Sequence, residues 1–195
     1  LQLYQSEKYM EAASAFRLRA ISDRMLTPIS SVHLPAGEVT AQHNEGDDPQ
    51  FRRKNIAAFQ KRVRQLLSDF YETTDTSRSL DNSECIRTIA EELYHLVRDQ
   101  HVRKYLVVFS DLNEKSDLCD VYKNTEDAGG IVERALSMNG TIPDRLDGIT
   151  LFFMFSPANR EKDIQYRRIA GAYKKILEQR GGKVVIQATS DVFEP

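Results

Sequence analysis

The chain has 195 residues, 27 of them Lys or Arg and 29 Asp or Glu, for a formal net charge of -2, with 41% hydrophobic residues and no tryptophan. A chain of this length is expected to build one α/β domain over residues 1–195, and its near charge balance lacks both the basic excess of a nucleic-acid binder and an acidic tail. No run of about 18 apolar residues occurs, so the sequence holds no membrane segment.

Residues 6–26 place Met10, Ala13, Phe16, Ala20 and Met25 near one helical face behind a Ser6 cap, and Pro28 interrupts the pattern, which predicts a first helix. Pro35 and Gly37 punctuate a turn, and Val39 and Ala41 stand at strand spacing after it. Residues 44–50, NEGDDPQ, read as a loop. The next stretch is a helix with the stripe Ile56, Phe59, Val63, Leu66, Leu67 and Phe70, while Arg52, Arg53, Lys54, Lys61, Arg62 and Arg64 occupy mostly the remaining faces. With no aromatic residue outside the apolar stripe interleaved among them, and a net charge of -2, these cations read as a solvated face and not as a nucleic-acid surface.

A polar loop, residues 72–82, leads to a helix carrying Ile86, Ile89, Ala90, Leu93 and Val97, with Asp81 and Glu84 spaced as a capping box. KYLVVF, residues 104–109, is a short apolar run that predicts a central strand buried on both faces. A helix over about 128–138, a buried strand over 148–156 and a helix over about 159–180 follow; Gly181-Gly182 stops the last helix, and KVVIQAT forms a third strand. Gly129-Gly130 reads as helix punctuation.

Strands alternating with helices pair in parallel through right-handed crossovers, so the fold class is α/β: a doubly wound, mostly parallel, Rossmann-like sheet flanked by helices on both faces. Ligands of such sheets sit beyond the carboxyl ends of the strands. There LVVFSDLNEKSD passes from apolar residues to Ser110, Asp111, Asn113, Glu114, Ser116 and Asp117. Carboxylate, hydroxyl and amide oxygens suit a hard cation such as Mg2+, Mn2+ or Ca2+, although an aspartate here also serves simply to turn a loop. A helix-loop-helix calcium site is excluded, because Ser116 and Tyr122 stand where its glycine and bidentate glutamate belong. His33, His43, His95 and His101 share no motif with a serine or cysteine, and neither phosphate-binding glycine motif occurs.

KYLVVFSDLNEKSD resembles the strand and acidic loop of von Willebrand factor type A-like (vWA-like) domains, in particular the bacterial-type variant in which an apolar strand ends in Ser-Asp followed by Glu-x-Ser. GITLFFMF is similar to the next parallel strand, YRRIAGAYKKILEQRGGKVVI to the last helix and strand, and DNSECIRTIAEEL to the segment that supplies a hydroxyl ligand; the resemblance covers residues 55–190. It implies a metal-ion-dependent adhesion site with Asp111 as acidic ligand, often through water, and Ser83 as hydroxyl ligand. Ser79 competes with Ser83 for that role, and Asn113 on the same loop completes the candidate metal set. DTSRS, residues 75–79, fits the family's Asp-x-Ser-x-Ser expression literally but follows a helix and not a strand, so the expected first strand and its loop would precede Leu1.

The resemblance implies a protein-binding or adaptor module, not an enzyme, in which a bound cation, Mg2+ or alternatively Mn2+ or Ca2+, takes an acidic group from a protein partner. Two alternatives stay open: a small metal-dependent α/β hydrolase or phosphoryl-transfer enzyme using Asp111, and a metal-free structural subunit. No nucleic-acid partner is expected, and the oligomeric state is not encoded in these motifs. Cys85 and Cys119 form no disulfide framework and no leader is visible, which favours the cytoplasm; a chain opening on Leu1 keeps a processed leader, and so a secreted or periplasmic location, open.

Overall fold

A computed structural model describes residues 14–21, 30–34, 49–73, 82–101, 103–123 and 127–188. The chain groups into two compact units, one of residues 1–20, 26–79 and 193–195, the other of residues 21–25 and 80–192.

In the first unit, strand β1 (Ser14–Leu18) pairs antiparallel with β2 (Ser30–Leu34), with Phe16 opposite Val32. The first helix expected over 6–26 is therefore not formed in its described part, which is a strand over residues 14–18. Phe16 and Leu18 alternate with Arg17, so the stretch also carries the period of two that a sheet requires, and pairing with β2 decides between the two periods. In β2 the alternation is plain in the burial, with Val32 and Leu34 inside and Ser31 and His33 outside. The strand spacing at Val39 and Ala41 lies outside the described residues. Helix α1 (Pro49–Thr73) opens on a proline, whose fixed φ and missing N–H suit a first helical position, and takes its first and last residues from stretches expected to be loops. Its residues Ile56, Phe59 and Val63 are buried with Val32 and Leu34, and Leu66 and Leu67 pack at the margin.

The second unit holds a parallel sheet of order β3-β4-β5, built from β3 (Lys104–Phe109), β4 (Ile149–Phe155) and β5 (Lys183–Ala188). Residues 104 to 109 pair with 149 to 154, and 150 to 155 with 183 to 188. Central position falls to β4, not to β3 as the apolar run KYLVVF suggests. Among the described residues β3 pairs only with β4, and most of it is half-buried, whereas Leu151, Phe152, Phe153 and Met154 of β4 are buried. Each such side chain removed from water contributes about 1.5–3 kcal/mol.

Helix α2 (Cys85–Arg98) packs on β3, α4 (Arg160–Gln179) on β5, and α3 (Ala128–Ser137) against α4. Buried Tyr166, Ile169, Ala170, Tyr173, Ile176 and Leu177 recur along α4 at helical spacing, and Phe153 of β4 meets Tyr173 with ring centroids 5.2 Å apart. Asn159 caps α4 by accepting the Lys162 amide at 2.9 Å. Gly181, at φ 88°, turns the chain out of α4, and the Gly182 amide donates to the Leu177 carbonyl at 3.1 Å. Gly129-Gly130 does not punctuate a helix: both residues lie inside α3, where a Cβ on Gly129 would stand 2.9 Å from the Arg168 carbonyl oxygen of α4.

The expected capping box at α2 is also replaced. Glu84 is the N-cap residue but its side chain makes no capping bond, and Asp81 lies outside the described residues. The free amide of Ile86 instead donates to Glu114 Oε2 at 2.8 Å, a carboxylate delivered from the loop after β3. That loop is thereby tied to the start of α2.

Candidate functional site

The chain leaves β3 at Ser110 and turns sharply. Leu112 adopts φ 59°, a left-handed conformation that costs a residue with a Cβ about 1 kcal/mol, and its amide donates to Ser110 Oγ at 3.0 Å. Leu112 is fully buried, so its side chain anchors the strained turn in the core.

Asp111 closes the next turn with both oxygens. Oδ1 accepts the Asn113 amide at 3.1 Å, and Oδ2 accepts from Asn113 Nδ2 at 2.7 Å. Asn113 Oδ1 in turn accepts from Gln165 Nε2 on α4 at 2.9 Å. The relay Gln165, Asn113, Asp111 thus crosses the space between the end of β3 and the first turns of α4. Asn113 is buried, whereas Tyr122, in a short 3-10 turn (Val121–Lys123), is exposed. Partial burial and the nearby Asp111 carboxylate push the Tyr122 phenol up, against a hydrogen bond with Asn113.

Ser83 reaches the same neighbourhood from the start of α2. Its backbone exchanges hydrogen bonds with Lys115, Ser83 N to Lys115 O at 3.1 Å and Lys115 N to Ser83 O at 3.0 Å. Its hydroxyl lies 3.2 Å from Cys85 Sγ, and Ser110 Oγ lies 3.8 Å from the same sulfur. Burial pushes the Cys85 thiol up to about 12, hydrogen bonds to Ser83 and Ser110 act against it, and the charges of Glu114 and Asp111 add to it. Burial thus favours the neutral form of the Cys85 thiol over the thiolate.

Ser83, Asp111 and Asn113 are thus brought to one end of the sheet: the Ser83 hydroxyl and the Asn113 carbonyl both lie at the Cys85 sulfur, and Asp111 is bonded to Asn113. Ser79 and the DTSRS stretch lie outside the described residues. Among the described residues no three His, Cys, Asp or Glu side chains cluster as a metal group. The oxygen donors fit a hard cation in kind, because an ionised carboxylate has about four lone-pair sites and Asn113 occupies two of those on Asp111.

Buried behind the site, Glu114 has one oxygen on the Ile86 amide, while Oε1 has no hydrogen-bond partner. Desolvation raises its pKa above the ordinary carboxylate value, against the nearby Ser116 hydroxyl and the Ile86 amide, and Glu84 adds a like charge. Outside this loop, Arg87 holds Glu84 at 3.1 Å and Asp117 at 3.0 Å, pinning the far end of the acidic stretch to α2. His101 lies beyond the end of α2 with its ring hydrogen-bonded to Asp99, and no serine or cysteine joins that pair.

Gln165 and the capping role of Glu114 were not legible as site features. Gln165 belongs to a helix face with no motif, and only the return of the chain through β4 carries it to Asn113. No helix in the described residues is long and apolar enough to cross a membrane. No protein-family model, curated protein or solved structure matches the chain.

Proposed function

We propose that the chain is a protein-binding module on a doubly wound, vWA-like sheet, with its binding face at the carboxyl ends of β3 and β4. The observation that carries this reading is the relay from Gln165 through Asn113, which fixes the Asp111 carboxylate within electrostatic reach of the exposed Tyr122. A carboxylate held by two hydrogen bonds is preorganised, so it loses little freedom when it is engaged. Asp111, Ser83 and Asn113, with Ser79 as the alternative hydroxyl, are the residues that would hold a divalent cation, Mg2+ ahead of Mn2+ or Ca2+. Such a cation supplies an open coordination position for a partner's carboxylate.

A second reading, a metal-free binding or scaffold subunit, is favoured by the fact that both Asp111 oxygens already accept from Asn113. Titration calorimetry with Mg2+ and Mn2+ on the chain and on Asp111→Ala separates the two. Binding that is lost in a folded Asp111→Ala supports the cation reading. Heat in neither protein leaves the scaffold reading, and equal heat in both moves the cation away from Asp111.

A further inference from the structure

Helix α1 carries five exposed cations, Arg53, Lys54, Lys61, Arg62 and Arg64, and none of them is in an ion pair with another described residue. On α4, by contrast, three cations are paired, Arg167 with Asp163 at 2.9 Å, Lys174 with Glu178 at 3.7 Å and Lys175 with Glu133, while exposed Arg160 and Lys162 are not, among the described residues. The apolar stripe of α1 is buried in the core of its own unit, so the helix is held with its cations outward. Over Arg53 to Arg64 the rise is about 17 Å, the length of an extended peptide of about five residues.

We infer that this face of α1 binds an acidic peptide segment of a protein partner. Three observations select that partner among polyanions. The cationic stretch ends on the same helix at exposed Asp69 and Glu72, which would oppose a phosphate backbone or an anionic bilayer that continued past it. The one aromatic residue within the stretch, Phe59, is buried and offers no ring on which a base could stack. Ile56, Phe59 and Val63 face the core, so no apolar face remains to enter a membrane interface. A short run of carboxylates matches both the sign and the length of the patch. This surface is independent of Asp111, and neither site's failure bears on the other.

The test is fluorescence anisotropy of a labelled deca-glutamate peptide with the full chain at low salt, beside the variant Lys61→Gln/Arg62→Gln/Arg64→Gln and the control Arg167→Gln. All four positions are exposed, and thermal melting confirms that each variant folds. The triple variant is expected to bind about tenfold more weakly, the control to bind unchanged, and the wild-type affinity to fall steeply between low and physiological salt. No binding of the peptide, or equal binding by the triple variant, overturns the proposal. So does tighter binding, through the same three cations, of a 20-base-pair DNA duplex or of phosphatidylserine vesicles, which would assign the face to phosphate.

Discussion

At the scale of single residues, the loop after β3 is held by a carboxylate in an unfavourable place. Glu114 is fully buried and accepts one amide, and desolvation raises its pKa above the ordinary carboxylate value. A carboxyl whose folded pKa is raised contributes stability that is complete below the unfolded value and is lost as pH rises through the folded value. Glu114→Gln keeps an oxygen for the Ile86 amide and removes the charge. Thermal melts from pH 4.5 to 8 should therefore show the variant gaining on the wild type as pH rises. Parallel curves across that range would show that the carboxyl is not desolvated. The neighbouring thiol obeys the same physics: burial raises the Cys85 pKa, against the hydroxyls of Ser83 and Ser110.

At the scale of elements, the approach of α3 to α4 rests on a missing side chain. A Cβ at Gly129 would meet a backbone oxygen at 2.9 Å, which cannot move without shifting α4, whereas at Gly171 nothing lies within 4 Å. Alanine is favoured over glycine in a helix by about 1 kcal/mol. Gly171→Ala should therefore stabilise the protein by roughly 0.5–1 kcal/mol. Gly129→Ala should instead destabilise it by about 1–3 kcal/mol, because overpacking outweighs propensity. Chemical denaturation of the two variants checks the opposed signs, and equal effects would mean that the helices are free to separate. The same elements show what could be read in advance. The stripes of α1, α2 and α4 and the runs of β4 and β5 are repeated over enough residues to announce themselves. Phe16 and its neighbours satisfy both helical and strand periods, so only the pairing with β2 settles them. The edge position of β3 among the described strands is a fact of topology that its own apolar residues do not contain. At the site, Asp111 and Asn113 follow from the strand-end position and Ser83 only from the resemblance, whereas Gln165 is separated from Asn113 by 52 residues and is joined to it only by the fold.

At the scale of the whole molecule, the two units differ in how much apolar surface secures them. The second unit buries β4 between β3 and β5 and packs the faces of α2, α3 and α4 into a continuous core. The first secures a two-stranded sheet with one helix, through Val32, Leu34, Ile56, Phe59 and Val63. A two-stranded sheet is marginal alone and depends on what packs against it, so local opening should cost less there than in β4. Hydrogen exchange read by mass spectrometry should find the amides of Leu151 to Met154 and of Ile169 to Leu177 exchanging slowest, by global opening, and those of Phe16 and Val32 exchanging at least tenfold faster. Equal protection in both units would mean that they unfold as one cooperative body. The proposed roles divide along the same line. The acidic-peptide face lies on the unit with the smaller core, and the Asp111 relay on the unit whose core can hold a strained turn and a buried carboxylate in place. If the exchange pattern holds, Lys61, Arg62 and Arg64 can be substituted without disturbing the relay, and contacts at one site can be measured with the other intact.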